Sequence, residues 1–167
     1  MKIIAFTGKF QSGKTTCANL IQNSVKLSFA KPIKDIAKIY FGWNGDKDDK
    51  GRRLLQVIGT NAGREYNSNI WVEKMHEQLL HEKTFEESKN KDVDTIIIID
   101  DLRFNNEAEF IIKWKGIIIN ITRPGYDGDA HVSEIGILDE YVDYTINNDG
   151  TIEELKNKLL EIIKKIL

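Results

Sequence analysis

Cysteine is nearly absent from this chain: of 167 residues only Cys17 carries a thiol, so no internal disulfide can form. Long apolar runs are absent too. No stretch approaches the roughly 20 residues that span a bilayer, and the first residues already read as a strand rather than as a secretory leader. Charge of one sign is also missing, because the net charge is -2 and the charged residues, 30% of the chain, alternate in sign as on a solvated surface. These absences exclude a disulfide-stapled module, a membrane span and a long nucleic-acid polymer as partner. They leave a soluble chain of a reducing compartment, expected in the cytoplasm. The 41% hydrophobic content can bury one good core, so a single domain over residues 1–167 is the expectation.

What is present is a phosphate-binding pattern. Gly8-Lys9-Phe10-Gln11-Ser12-Gly13-Lys14-Thr15 satisfies G-x-x-x-x-G-K-[ST], after the apolar run Ile3 to Phe6 and before a helix-compatible run from Ala18 to Ile21. Glycines let the backbone approach phosphate oxygens and turn successive N–H groups inward. Lys14 then reaches the outer phosphates and Thr15 a magnesium ion. Cys17 falls in the helix after the loop and reads as a small packing residue without chemistry. His76 and His81, five apart, point in different directions on a helix and make no metal pair.

Further along, Val25 to Phe29 alternates like a short strand, and Pro32 suits the first turn of a helix that runs to Gly42. Asn44 to Asp49 reads as an exposed connection, with a second helix from about Lys50. There Leu54, Leu55 and Ile58 share one side, leaving Arg52, Arg53 and Gln56 on the other. Arg64 follows the glycine-bearing stretch Gly59 to Gly63, read as a turn. Guanidinium groups gathered there suit a second phosphate, which they bind in a bidentate fork. Trp71, Val72, Met75 and Leu79 give another helix, and the charged stretch from Glu82 to Asp94 reads as surface without a chemical signal.

Thr95 to Ile99 is apolar and β-branched at nearly every position, as in a strand buried on both faces of a parallel sheet, with Asp100 and Asp101 at its C-terminal end. That edge is where open α/β sheets bind ligands. Adjacent side chains point to opposite sides, so one aspartate at most faces the nucleotide, and the other is expected to cap the next helix. Ile117 to Ile121 forms a further strand ending in Thr122 and Arg123, followed by a glycine-containing loop, residues 123–134, long enough for a short lid. Tyr144 to Ile146 is a fifth strand, Asn147 to Gly150 its turn, and Thr151 with Glu154 a capping box for the last helix.

These residues carry a resemblance. Besides the phosphate loop there are Phe29-Ala30-Lys31-Pro32-Ile33-Lys34, Arg53-Leu54-Leu55-Gln56 with Gly59-Thr60 and Arg64, and Trp71. Asp101 to Glu107, Arg123-Pro124-Gly125 with His131 and Ser133-Glu134, and Asp143 to Gly150 complete the set. Nearly end to end, the chain resembles the deoxynucleoside monophosphate kinases of bacteriophages, within the P-loop nucleoside monophosphate kinase-like group. The resemblance implies an α/β, three-layer P-loop kinase fold: a five-stranded parallel sheet flanked by helices, a helical acceptor-binding region over residues 31–90 and a short lid. It implies transfer of the γ-phosphoryl of ATP to a deoxynucleoside monophosphate, with Mg2+ as cofactor, in a monomer or homodimer, in the host cytoplasm if phage-encoded.

By the same resemblance Gly8, Gln11, Ser12, Gly13, Lys14, Thr15, Thr16 and Asn148 bind ATP, Asn148 at the adenine. Lys34, Arg53, Arg64, Trp71, Arg103 and His131 hold the acceptor, with Trp71 either stacking on its base or anchoring its own helix. Lys14, Asp101, Arg103 and Arg123 are the catalytic set, and Thr15 and Asp101 serve magnesium, Asp101 through its water shell or by aligning the acceptor. His131 is expected to hydrogen-bond or order the lid. Asn61 stands where many relatives carry an acidic residue. Two rival readings remain at this point: a P-loop kinase for a phosphomevalonate-like or dephospho-coenzyme-A-like acceptor, and a nucleotide-binding switch, in which the four arginines have no purpose.

Overall fold

The computed structural model describes residues 1–46, 48–88, 94–125 and 135–167. At its centre lies strand β1 (Lys2–Thr7), the strand that leads into the phosphate loop. Strands β2 (Ser24–Leu27), β3 (Ile96–Ile99), β4 (Ile117–Thr122) and β5 (Tyr144–Asn147) complete a sheet of order β2-β3-β1-β4-β5. β1 pairs in parallel with β3, Ile4 opposite Ile98, and with β4, Phe6 opposite Ile119; β4 pairs in parallel with β5, Ile121 opposite Ile146.

The isoleucine runs make sense only in this arrangement. Side chains alternate across a strand, so a run apolar at every position needs cover on both faces. On one face Ile4, Phe6, Ile98, Ile119, Ile121 and Ile146 pack with Cys17 and Ala18 of helix α1 (Lys14–Leu20). Leu155, Leu159 and Ile163 of the last helix join the same cluster. On the other face Ile3, Ala5, Ile97, Ile99 and Ile118 are buried as well. Helix α5 (Asn105–Lys113) runs into β4 there, and at Gly116 a Cβ would lie 2.6 Å from Ile111 Cγ2 and 3.2 Å from the Ile3 Cβ. Helix, sheet and helix therefore form three layers, as expected.

The last helix, α6 (Ile152–Ile166), begins at the anticipated capping box. Thr151 N–H donates to Glu154 Oε2 at 2.7 Å, and Glu154 N–H to Thr151 Oγ1 at 3.2 Å. The donated backbone hydrogen bond holds the Glu154 carboxyl below its ordinary range.

The chain divides into two compact units, Met1–Lys26 with Lys91–Leu167, and Leu27–Asn90. The second holds α2 (Lys31–Phe41), α3 (Asp49–Gln56), a π-helix over Val57–Arg64 and α4 (Ile70–Ser88). Pro32 sits in the first turn of α2, and Asp48 caps α3, its Oδ1 accepting from Gly51 N–H at 2.7 Å. One local expectation is corrected here. Gly59 to Gly63 is not a turn but part of the π-helix, whose glycines leave room for neighbours: a Cβ at Gly59 would meet Ile33 Cδ1 at 3.0 Å, and one at Gly63 the Trp71 ring at 2.4 Å. The charged stretch from Glu82, expected as surface, is mostly exposed as far as Ser88 and continues α4, because glutamate and lysine are good helix formers and no glycine or proline intervenes.

Burial pushes the Cys17 thiol up to about 12, so it stays protonated in the fold. At pH 8 a thiol reagent should leave the native chain unmodified and label one cysteine after denaturation in urea. The neutral thiol should support the fold at ordinary pH. That support should fade above the ordinary thiol range as pH rises towards 12, since the unfolded chain ionises first.

Candidate active site

The loop after β1 takes backbone angles that most side chains avoid. Gly8 and Gly13 have φ of 131° and 112°, and Gln11, at φ 60°, also sits in the left-handed region. At Gly8 the restriction is doubled by a neighbour, since a Cβ there would lie 2.2 Å from the Ile121 carbonyl oxygen of β4. Within the loop Lys14, a residue only 7% exposed, donates from its ammonium to the carbonyls of Gly8 and Lys9, each at 2.6 Å. One side chain thus spans the loop's two ends.

Thr15 Oγ1 donates to Asp100 Oδ2 at 2.7 Å. A hydroxyl and a carboxylate side by side are hard oxygen donors of the kind that, with waters, suit magnesium, so the residues present fit the ion. The resemblance gave Asp101 the water shell of magnesium or the alignment of the acceptor; the carboxylate that meets Thr15 is Asp100, which shares its face with Ile98, packed in the same cluster as α1.

The expectation that an aspartate caps the next helix is also overturned. The N-cap of α5 is Phe104, and Glu107 does the capping: its buried Oε2 accepts from Arg103 N–H at 2.9 Å and Phe104 N–H at 3.2 Å. Arg103 therefore stands on a turn whose backbone is fixed from beneath.

Arg103 and Arg123 line one pocket, of about 340 Å³, with Gly8, Lys9 and Ser12 of the loop and Asn120 of β4. Two guanidinium residues and the phosphate loop are thus brought together. Asn148 also belongs to the loop: its Nδ2 donates to the Ser12 carbonyl at 2.8 Å. Thr16 is exposed on α1.

The remaining acceptor candidates lie in the unit Leu27–Asn90, with Lys34 on α2, exposed Arg53 on α3, Arg64 on the π-helix and Trp71 on α4. Arg64 Nη1 donates to Ser68 O at 3.3 Å. Of the two roles expected for Trp71, the structure shows the anchor: the residue is 4% exposed, and its indole N–H donates to Gly59 O at 2.8 Å, joining α4 to the π-helix. His131 and residues 126–134 of the lid lie outside the described residues. Among the described residues no cluster of three or more His, Cys, Asp or Glu is placed to hold a metal ion, and no helix is long and apolar enough to cross a membrane.

Comparison with known proteins gives the chain a family. The family model of deoxynucleotide monophosphate kinase matches residues 44–159. A putative deoxynucleotide monophosphate kinase of Acanthamoeba polyphaga mimivirus is 29% identical over an alignment of 187 positions that covers 98% of this chain and 96% of the viral one. The deoxynucleotide monophosphate kinase of Enterobacteria phage T4 is 29% identical over 115 positions, 68% of this chain and 45% of its own, so the chain spans less than half of that relative. Among solved structures, dephospho-CoA kinase from Campylobacter jejuni superposes with a TM-score of 0.57 at 16% identity, covering 99% of this chain and 98% of its own. Shikimate kinase from Acinetobacter baumannii does so with a TM-score of 0.50 at 15% identity, covering 99% and 94%. At such identities the likeness is one of fold, that of the P-loop kinases.

Glu107→Ala should leave two backbone donors beside Arg103 without their acceptor. Removing such a partner costs about 1–3 kcal/mol, measurable as an earlier urea unfolding midpoint.

Proposed function

The chain belongs to the deoxynucleotide monophosphate kinase family, and we propose that it transfers the γ-phosphoryl of ATP to a deoxynucleoside monophosphate, giving the diphosphate and ADP. The observation that carries this reading is the pocket shared by the phosphate loop, Arg103 and Arg123. Phosphoryl transfer asks little covalent chemistry of a protein; it asks for alignment and for positive charge around the transferred group.

In this reading Lys14 and the loop's N–H groups hold the outer phosphates of ATP, with Lys14 exchanging its two carbonyl partners for phosphate oxygens. Arg103 and Arg123 neutralise the charge that develops on the transferred group. Thr15 and Asp100 hold Mg2+, which when bound neutralises phosphate oxygens and orients them. Asp101, one residue on, aligns the acceptor. Lys34, Arg53 and Arg64 supply the charge that holds the acceptor's phosphate, whose attacking oxygen is already ionised and needs no general base. Trp71 acts indirectly, by anchoring the π-helix that carries Arg64.

A panel of acceptors tests the proposal. dGMP, dTMP or dCMP should stimulate ADP release from ATP and magnesium; release stimulated by none of them, but by a non-nucleotide phosphate ester, would refute it. Lys14→Ala should lower turnover at least about a hundredfold, because it removes positive charge that acts most strongly on the charge developing in the transition state. Arg64→Ala should raise KM for the monophosphate by about tenfold or more, the worth of a charge-assisted hydrogen bond, and leave KM for ATP in place. Steady-state kinetics with each substrate varied separate the two effects.

A further inference from the structure

The phosphate loop is gripped from behind by a turn for which the reading above has no use. Asn148 follows β5. Its side-chain Nδ2 donates to the Ser12 carbonyl at 2.8 Å, and its backbone N–H donates to Thr122 O at 2.7 Å, at the end of β4. The same Nδ2 lies 2.7 Å from where a Gly13 Cβ would be, so the carboxamide occupies the space that glycine leaves open. The turn is itself fastened. Lys158 of α6 donates to Asn147 O at 2.7 Å and to Asp149 Oδ1 at 2.8 Å, while Asn147 Nδ2 donates to Asp149 Oδ2 at 2.8 Å. Lys158 beside Asp149 holds that carboxyl below its ordinary range.

The Ser12–Gly13 peptide is planar and trans, so its C=O and N–H point in opposite directions. A donor that fixes the Ser12 oxygen towards the β5 turn therefore aims the Gly13 N–H the other way. We propose that Asn148 is a positioning residue for the phosphate loop: by holding the Ser12 carbonyl it keeps the Gly13 amide turned towards the nucleotide's phosphates, and Lys158 keeps Asn148 in place. This rests on the reading of the loop as an ATP site, and it replaces adenine contact as the role of Asn148. The side chain touches the loop rather than the reacting atoms, so its effect reaches ATP through the phosphates alone.

The experiment measures equilibrium binding of ATP, GTP and inorganic tripolyphosphate, each with magnesium, to the wild-type chain, Asn148→Ala, Asn148→Leu and Lys158→Met. The leucine is close to asparagine in shape but has no donor. Thermal unfolding of each variant identifies any that is not folded, and Lys158→Met leaves the Asn148 side chain intact should both substitutions there prevent folding. The expected result is that Asn148→Ala and Asn148→Leu weaken tripolyphosphate and ATP by the same factor, about 3- to 30-fold for a lost and unreplaced hydrogen bond. The ratio of ATP to GTP affinity stays unchanged, and Lys158→Met gives a smaller loss of the same kind. A collapse of the ATP to GTP ratio with tripolyphosphate binding intact would make Asn148 a base contact and overturn the proposal. Unchanged binding of all three probes in the folded variants would overturn it too. A wild-type chain that binds neither ATP nor tripolyphosphate would remove the phosphate-loop reading itself, and this inference with it.

Discussion

No atom larger than hydrogen fits on the α-carbon of Gly8, because the Ile121 carbonyl of the neighbouring strand stands 2.2 Å from where a Cβ would be. The rest of the site depends on that close approach. It lets the chain leave β1 and fold back over the end of β4, so that the loop, Arg103 at the end of the β3 connection and Arg123 at the end of β4 open on one pocket. The parallel sheet makes the approach possible, since β1 lies between β3 and β4 and all three C-terminal ends emerge at the same edge.

Much of this was legible in the residues. The glycines, Lys14 and Thr15 announce a phosphate loop, and the isoleucine runs announce strands covered on both faces. The capping box at Thr151 and Glu154 marks the start of the last helix. What was not legible depends on partners distant in sequence. The choice between Asp100 and Asp101 turns on which face of β3 lies on the side of α1, and that is a property of the assembled layers rather than of β3. Asn148 reads as a polar turn residue until the Ser12 carbonyl is seen within its reach, 136 positions away. The π-helix over Val57–Arg64 was hidden for a different reason: its glycines look like turn formers, and only the indole packed on Gly63 shows why small residues are wanted there.

Trp71 and Glu107 illustrate how family motifs mix two kinds of residue. Both fall in segments that carry the resemblance, and both are almost wholly buried. The indole of Trp71 satisfies the Gly59 carbonyl, and the Glu107 carboxylate satisfies two N–H groups next to Arg103. A buried polar group left without a partner is costly, so such residues are as constrained as the arginines they support. Reading a motif as a set of ligand contacts overlooks this second kind.

The single thiol, Cys17, is enclosed in the core cluster between α1 and the sheet. It therefore gives the chain a chemically silent background. A cysteine introduced at Tyr66, 86% exposed in the unit Leu27–Asn90, and another at exposed Glu161 on α6 would be the two addressable sulfurs of the folded molecule, with no native residue to remove first. A donor and an acceptor dye attached to that pair would turn the two compact units into the ends of a spectroscopic ruler, read in solution as nucleotides are added one at a time.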